Sequence, residues 1–196
     1  MGCCSSKSAD SRDARLARWR STGIVALRDS KLKTFPDDVI NLGTLVRTLD
    51  MTRNKIAEIP VEIDKLINLQ RLILSANFIE RLPANVGKLQ SLKVMTLDEN
   101  QIIALPDELG QLVKLERLSI SGNLLDSLPE TIGSLRNLVL LNVSKNKIRF
   151  LPESIGCCFS LEEIQANENC MEELPSSVCN LALLKSLCLD NNNVKQ

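Results

Sequence analysis

LQRLILSANFIERLPANVGKLQS, residues 69–91, and LERLSISGNLLDSLPETIGSLRN, residues 115–137, are two turns of one pattern. Leu69, Leu72, Leu74, Asn77 and Ile79 in the first correspond to Leu115, Leu118, Ile120, Asn123 and Leu125 in the second. Leu138, Leu141, Val143, Asn146 and Ile148 repeat it again. Working outward, an asparagine recurs every 23 residues, at Asn54, Asn77, Asn100, Asn123, Asn146, Asn169 and Asn192. All seven prolines keep the same phase, at Pro36, Pro60, Pro83, Pro106, Pro129, Pro152 and Pro175. A fixed period of this length identifies a stacked repeat array.

The frame L-x-x-L-x-L-x-x-N-x-I/L is that of a leucine-rich repeat. Its L-x-L segment alternates with period two, so the two leucines face inward and the residue between them faces out. Stacked frames predict an α/β solenoid with a parallel sheet on the concave face. One short strand is expected near each of 47–51, 70–74, 93–97, 116–120, 139–143, 162–166 and 185–189. The asparagine carries donors and an acceptor, which suits it to satisfy buried backbone groups where the chain leaves the strand. The following Leu-Pro pair sends the chain back along the convex side, because proline fixes its own φ and extends the residue before it. A short helical or 3₁₀ turn is expected there in each repeat. Gly87, Gly110, Gly133 and Gly156 in that turn read as tight-turn residues near positive φ.

Ser30 stands 24 residues before Asn54 with Leu27, Leu32 and Phe35 in frame, a degenerate first repeat one residue longer than the rest. Six full repeats follow. Leu187, Leu189, Asn192 and Val194 then open a frame whose Leu-Pro pair does not arrive. An uncapped solenoid end exposes its core, so the reading expects either a short form or fragment, or a covered end. The domain reading is a flexible basic segment over 1–22 and a solenoid over 23–196.

Composition narrows the function. Net charge is zero, but residues 1–20 hold Lys7, Arg12, Arg15, Arg18 and Arg20 against Asp10 and Asp13, a local excess of +3. The slightly acidic remainder argues against nucleic-acid binding by the solenoid. The chain has no histidine, so no Ser-His or Cys-His pair can form, and it carries no phosphate-binding G-x-x-x-x-G-K-[ST] loop. Its seven cysteines lack metal-ligand spacing, and no metal, cofactor or small-molecule substrate is expected. Cys188, between two strand leucines, is the remote candidate for a cysteine-based enzyme. No run of 18 apolar residues and no secretory h-region occur, which points to an intracellular protein.

Met1-Gly2-Cys3-Cys4-Ser5-Ser6 fits the N-myristoylation template, with Gly2 exposed once Met1 is removed. One myristoyl chain binds membranes only marginally, and a second signal is required for stable anchoring. Cys3 and Cys4 are palmitoylation candidates, and the basic segment adds attraction to anionic lipid at about 1 kcal/mol per cation. Trp19 reads equally as an interfacial anchor or as a staple on the first repeat.

The frame L-x-x-L-x-L-x-x-N-x-I-x-x-L-P-x-x-I-G-x-L resembles that of the intracellular Ras-group leucine-rich repeat proteins. Met1-Gly2-Cys3-Cys4, Trp19-Arg20-Ser21-Thr22-Gly23 and Leu27-Arg28-Asp29-Ser30 look like those of a small plant subgroup. The resemblance implies protein binding without catalysis, in a signalling scaffold.

The leading functional expectation is therefore a monomeric, membrane-tethered adaptor in the cytoplasm that meets a protein partner on its concave sheet. The expected contact residues are Arg71, Ile73, Val94, Thr96, Asp98, Glu99, Arg117, Ser119, Leu140, Asn142, Glu163 and Gln165. Arginine is enriched at interface hot spots, and aliphatics exposed beside it suit a contact surface. A small GTPase, a kinase or a phosphatase is the expected kind of partner. A regulatory subunit acting on a GTPase or phosphatase is the alternative. A structural balance of Arg71 and Arg117 against Asp98 and Glu163 is the competing account of those charges.

Overall fold

Each three-residue strand is centred on the first apolar residue of an L-x-L segment, and eight of them make one parallel sheet in chain order in the computed structural model, which describes residues 11–194. The strands are β1 (Ile24–Ala26), β2 (Thr48–Asp50), β3 (Arg71–Ile73), β4 (Val94–Thr96), β5 (Arg117–Ser119), β6 (Leu140–Asn142), β7 (Glu163–Gln165) and β8 (Ser186–Cys188). From β2 onward each residue pairs with the one 23 positions later, as in Arg71 with Val94 and Val94 with Arg117. Ile24 pairs with Thr48, 24 positions on, as the longer first repeat requires. The central residue of each strand from Val25 to Ile164 is fully buried, and its two neighbours face away from the core.

The convex return is a five-residue 3₁₀ turn in six repeats, Val61–Lys65, Ala84–Lys88, Asp107–Gln111, Glu130–Ser134, Glu153–Cys157 and Ser176–Asn180. In each, the preceding proline is extended, and its carbonyl accepts the first turn hydrogen bond, as in Leu109 N–H to Pro106 O at 3.1 Å. The first repeat has a true helix instead, α2 (Asp37–Leu42).

The asparagine column joins consecutive coils. The Asn100 side-chain amide donates to Leu97 O in its own coil and to Leu74 O in the preceding one, both at 3.0 Å. Its Oδ1 accepts from Ile79 N–H, also at 3.0 Å. Asn77, Asn123, Asn146, Asn169 and Asn192 repeat these three bonds with their own neighbours. Asn54 bonds the irregular first coil through both Ser30 N–H and Leu32 N–H.

Two local expectations are corrected. The glycines of the convex turn do not have positive φ; among the described residues only Gly23, Gly43 and Gly122 do. They are small because the next coil is close: a Cβ at Gly110 would lie 2.6 Å from the Thr131 carbonyl oxygen. The left-handed position is the residue before each asparagine, Arg53, Ala76, Glu99, Gly122, Lys145, Glu168 and Asn191. There the turn is held by the next coil, with Ala76 N–H bonded to Asp98 O and Glu99 N–H to Ser121 O, both at 2.8 Å.

The second correction concerns the segment expected to be flexible. Residues Arg12–Thr22 form helix α1, capped by the Ser11 hydroxyl at one end and by left-handed Gly23 at the other. Trp19 is 4% exposed and belongs to the hydrophobic core, so it staples the first repeat. The Arg15 guanidinium lies 5.2 Å from the Trp19 ring centroid, and Arg12 clasps Asp38 through two hydrogen bonds. Arg12 also holds the Asp38 carboxyl below its ordinary range.

Leu66, Leu89, Leu112, Leu135, Cys158 and Leu181 form one buried column, so Cys158 replaces a core leucine. Its thiol donates to Ile132 O at 3.1 Å, and burial, with Cys157 beside it, pushes its pKa up to about 12.

Two outcomes follow from this packing. Asn100→Ala removes four inter- and intra-coil bonds and strands buried groups, and should cost on the order of 3 kcal/mol in urea unfolding. The neighbouring exposed Gln101→Ala should stay within about 0.5 kcal/mol. In native protein, iodoacetamide should label the exposed Cys157, Cys170 and Cys179 at mildly alkaline pH and leave Cys158 unmodified until it unfolds. Because the folded thiol ionises later than the unfolded one, Cys158 should make stability fall as pH rises from about 9.

Candidate functional site: the concave sheet

The strands place their outward residues in straight rows. One row runs Thr48, Arg71, Val94, Arg117, Leu140, Glu163, Ser186, each the registered partner of the next. A parallel row runs Asp50, Ile73, Thr96, Ser119, Asn142, Gln165, Cys188. Ten of the twelve expected contact residues fall in these two rows. Asp98 lies two positions beyond Thr96, as the chain leaves the sheet. Glu99 is off the sheet, in the left-handed turn position, with its carboxylate close against Gly122.

Exposure within the rows is uneven. Arg71 and Arg117 are exposed, whereas Ile73, Val94, Thr96, Ser119, Leu140, Asn142, Glu163 and Gln165 are half-buried. Arg71, Val94, Arg117 and Leu140 line a shallow depression of about 550 Å³, with Gln70, Lys93 and Glu116 along its edge. Those three edge residues are absent from the expected contact set. Their signal was present, since all three occupy the repeat position just before the strand.

The acids of this face are already engaged. Asp98 accepts from the Ser119 hydroxyl at 2.7 Å and from Ser121 N–H at 2.8 Å. Asp50 accepts from Arg28 and from both the N–H and the hydroxyl of Thr52. Glu163 accepts from the Gln165 amide, and Glu116 pairs with Lys93 at 3.5 Å. Arg71 and Arg117 have no side-chain hydrogen bond or ion pair among the described residues. The expected balancing of these arginines by Asp98 and Glu163 is therefore not made.

Other candidate chemistry is sparse. Cys188 is half-buried at the end of its row, and its sulfur lies 3.6 Å from the Ser186 hydroxyl. No group of three or more Asp, Glu or Cys among the described residues could hold a metal ion. No helix among them is long and apolar enough to cross a membrane. Gly2, Cys3 and Cys4 lie outside the described residues.

Residues 85–168 match the family model described as a leucine-rich repeat region. The sequence is 59% identical over 91 residues to plant intracellular Ras-group-related LRR protein 7 of Oryza sativa subsp. japonica, a match covering 46% of this chain and 35% of that protein. It is 51% identical over 63 residues to the rice protein 8 of the same series, covering 32% of this chain and 17% of the relative. The chain thus spans well under two thirds of either relative. A leucine-rich repeat protein of Leptospira interrogans superposes with a TM-score of 0.77 at 28% identity, over 90% of this chain and 52% of that one. The chain is a leucine-rich repeat solenoid whose sequence is similar to that of the plant intracellular Ras-group-related proteins.

Proposed function

We propose that the chain is a non-catalytic scaffold that captures a protein partner on its concave sheet and is tethered to the cytoplasmic face of a membrane by N-terminal acylation. The observation that carries the first part is the row of two unpaired guanidiniums alternating with half-buried aliphatics. Unpaired arginines bind a partner without first breaking an internal ion pair, and water leaves half-buried Val94 and Leu140 when a partner covers them. A non-catalytic reading agrees with a histidine-free chain. The name of the rice relatives, intracellular and Ras-group-related, supports an intracellular role, and the kind of partner proposed is a GTPase, kinase or phosphatase.

The tether rests on Gly2, Cys3 and Cys4 and on the basic residues after them. Helix α1 fixes the geometry this would produce. Because Trp19 is packed into the core, helix α1 belongs to the solenoid, and Gly2 stands nine positions before its Ser11 cap.

Two experiments test this. The double variant Arg71→Glu, Arg117→Glu should lose at least about tenfold in affinity for a partner captured by the intact chain, with its circular dichroism unchanged. Convex changes Lys88→Glu and Gln111→Glu should not, since the exposed Lys88–Asp64 pair contributes at most about 1 kcal/mol to folding. Loss of capture through the convex pair alone would overturn the concave assignment. Separately, Gly2→Ala should move the protein from membrane to soluble fractions, and unchanged fractionation would remove the acylation reading.

A further inference from the structure

The first concave row has a rhythm as well as a composition. Arg71, Val94, Arg117, Leu140 and Glu163 lie on five adjacent strands in strict register. Their chemistry alternates cation, aliphatic, cation, aliphatic, and ends on an anion. Neighbouring strands stand about 4.8 Å apart, so the two guanidiniums are rooted about 10 Å apart with Val94 midway.

Few partner shapes match that spacing. An extended chain laid along the row presents same-side residues about 6.6 Å apart, and is out of step after two strands. An added strand would run parallel to β1–β8 and cross the row only once. An α-helix rises 1.5 Å per residue and shows one face at alternating steps of three and four residues. That gives a contact about every 5 Å, in step with the strands over the whole row.

We infer that this row is a docking track for a partner's α-helix lying across the strands. The inference rests on the concave-sheet reading above. The matching helix carries acidic residues at i and i+7 over Arg71 and Arg117. It carries aliphatic residues at i+3 and i+10 over Val94 and Leu140, and a basic residue at i+14 over Glu163. All five lie on one helical face, because they follow a seven-residue repeat. The partner is thus an amphipathic helix with an acidic-aliphatic stripe.

The surrounding charges favour this occupant. Asp98, two positions beyond Thr96, lines the same depression as the track. Its carboxylate is already satisfied by Ser119 and Ser121. Glu116, beside Arg117, is paired with Lys93. The unengaged charge on the track is therefore positive at Arg71 and Arg117, in a solenoid whose sequence is slightly acidic overall. A basic helix would meet two unpaired guanidiniums, and like-charge contact there disfavours it.

The test uses the full chain and a fluorescent, alanine-rich peptide of about 20 residues bearing the stripe, long enough to be substantially helical. Its control has the same composition, with the two glutamates moved to the opposite helical face. A third peptide carries lysine in place of the two glutamates. Anisotropy titration should show the striped peptide binding at least about tenfold more tightly than the control, and weakening as salt is raised. The variant Arg71→Glu, Arg117→Glu should lose the striped peptide and gain the lysine peptide, which also shows that the variant is folded.

Equal binding of striped and control peptides would overturn the inference, since charge alone would then explain it. Failure of the striped peptide, with partner capture still lost in the double variant, would sink the helix track and leave the concave scaffold standing. Failure of the peptide together with unaffected capture would remove both.

Discussion

Between successive coils an asparagine side-chain amide bonds backbone groups of both, and the rest of the solenoid is arranged around meeting that requirement. The amide group must reach two carbonyls, one in each coil, while its oxygen receives an N–H from the coil before. This is possible only if the chain turns sharply at the end of the strand. That turn puts the preceding residue in the left-handed region at Arg53, Ala76, Glu99, Lys145, Glu168 and Asn191, a conformation that costs L-residues about 1–2 kcal/mol each. The cost is offset because the same residue's N–H bonds the following coil wherever one is stacked on it. Strand length, coil spacing and register follow from this one junction. With register set, the outward side chains are held in rows whose spacing is that of the backbone, not of flexible side chains.

This division of labour explains why the surface can specialise. The buried column at the strand centre runs Leu49, Leu72, Met95, Leu118, Leu141 and Ile164, all aliphatic and fully buried. Beside it, the outward rows hold arginine, valine, threonine, serine, asparagine and glutamate. The proposed binding chemistry therefore sits on positions outside the buried column. At the amino end the fold departs from repetition, and α1 with Trp19 closes the core of the first coil. At the other end Val178, Leu184, Leu187 and Leu189 are only partly buried, since among the described residues that coil is packed on one side.

Much of this was legible in the sequence, and the failures have physical causes. The asparagine and proline periods marked the coils, and period-two alternation marked which residues point outward, because both signals repeat in every frame. The left-handed turn could not be read, since only Gly122 of its seven members is a glycine and the others, Asn191 apart, are held there by bonds from the next coil. The convex glycines were misread for the converse reason: their smallness answers to a carbonyl 2.6 Å from a would-be Cβ one coil away, not to their own φ. Arg12–Thr22 looked like a charged tail because its single core residue, Trp19, leaves almost no amphipathic pattern. At the candidate site the rows were visible, but the state of the charges was not. That Asp98 is spent on Ser119 and Ser121 while Arg71 and Arg117 stay unpaired depends on side-chain contacts across coils.

The asparagine junction is tested most directly by hydrogen exchange at the amides bonded only to it, those of Ile79, Ile102 and Leu125. They lie in the turn after the strand, outside the sheet's own hydrogen bonds. If the junction orders the stack, these amides should exchange as slowly as those of Leu97 and Ile120, which bond Ser119 O and Asn142 O on the neighbouring strands, and Asn100→Ala should release Ile79 selectively. Exchange of Ile79, Ile102 and Leu125 at the rate of open turns in the unmutated protein would contradict the account.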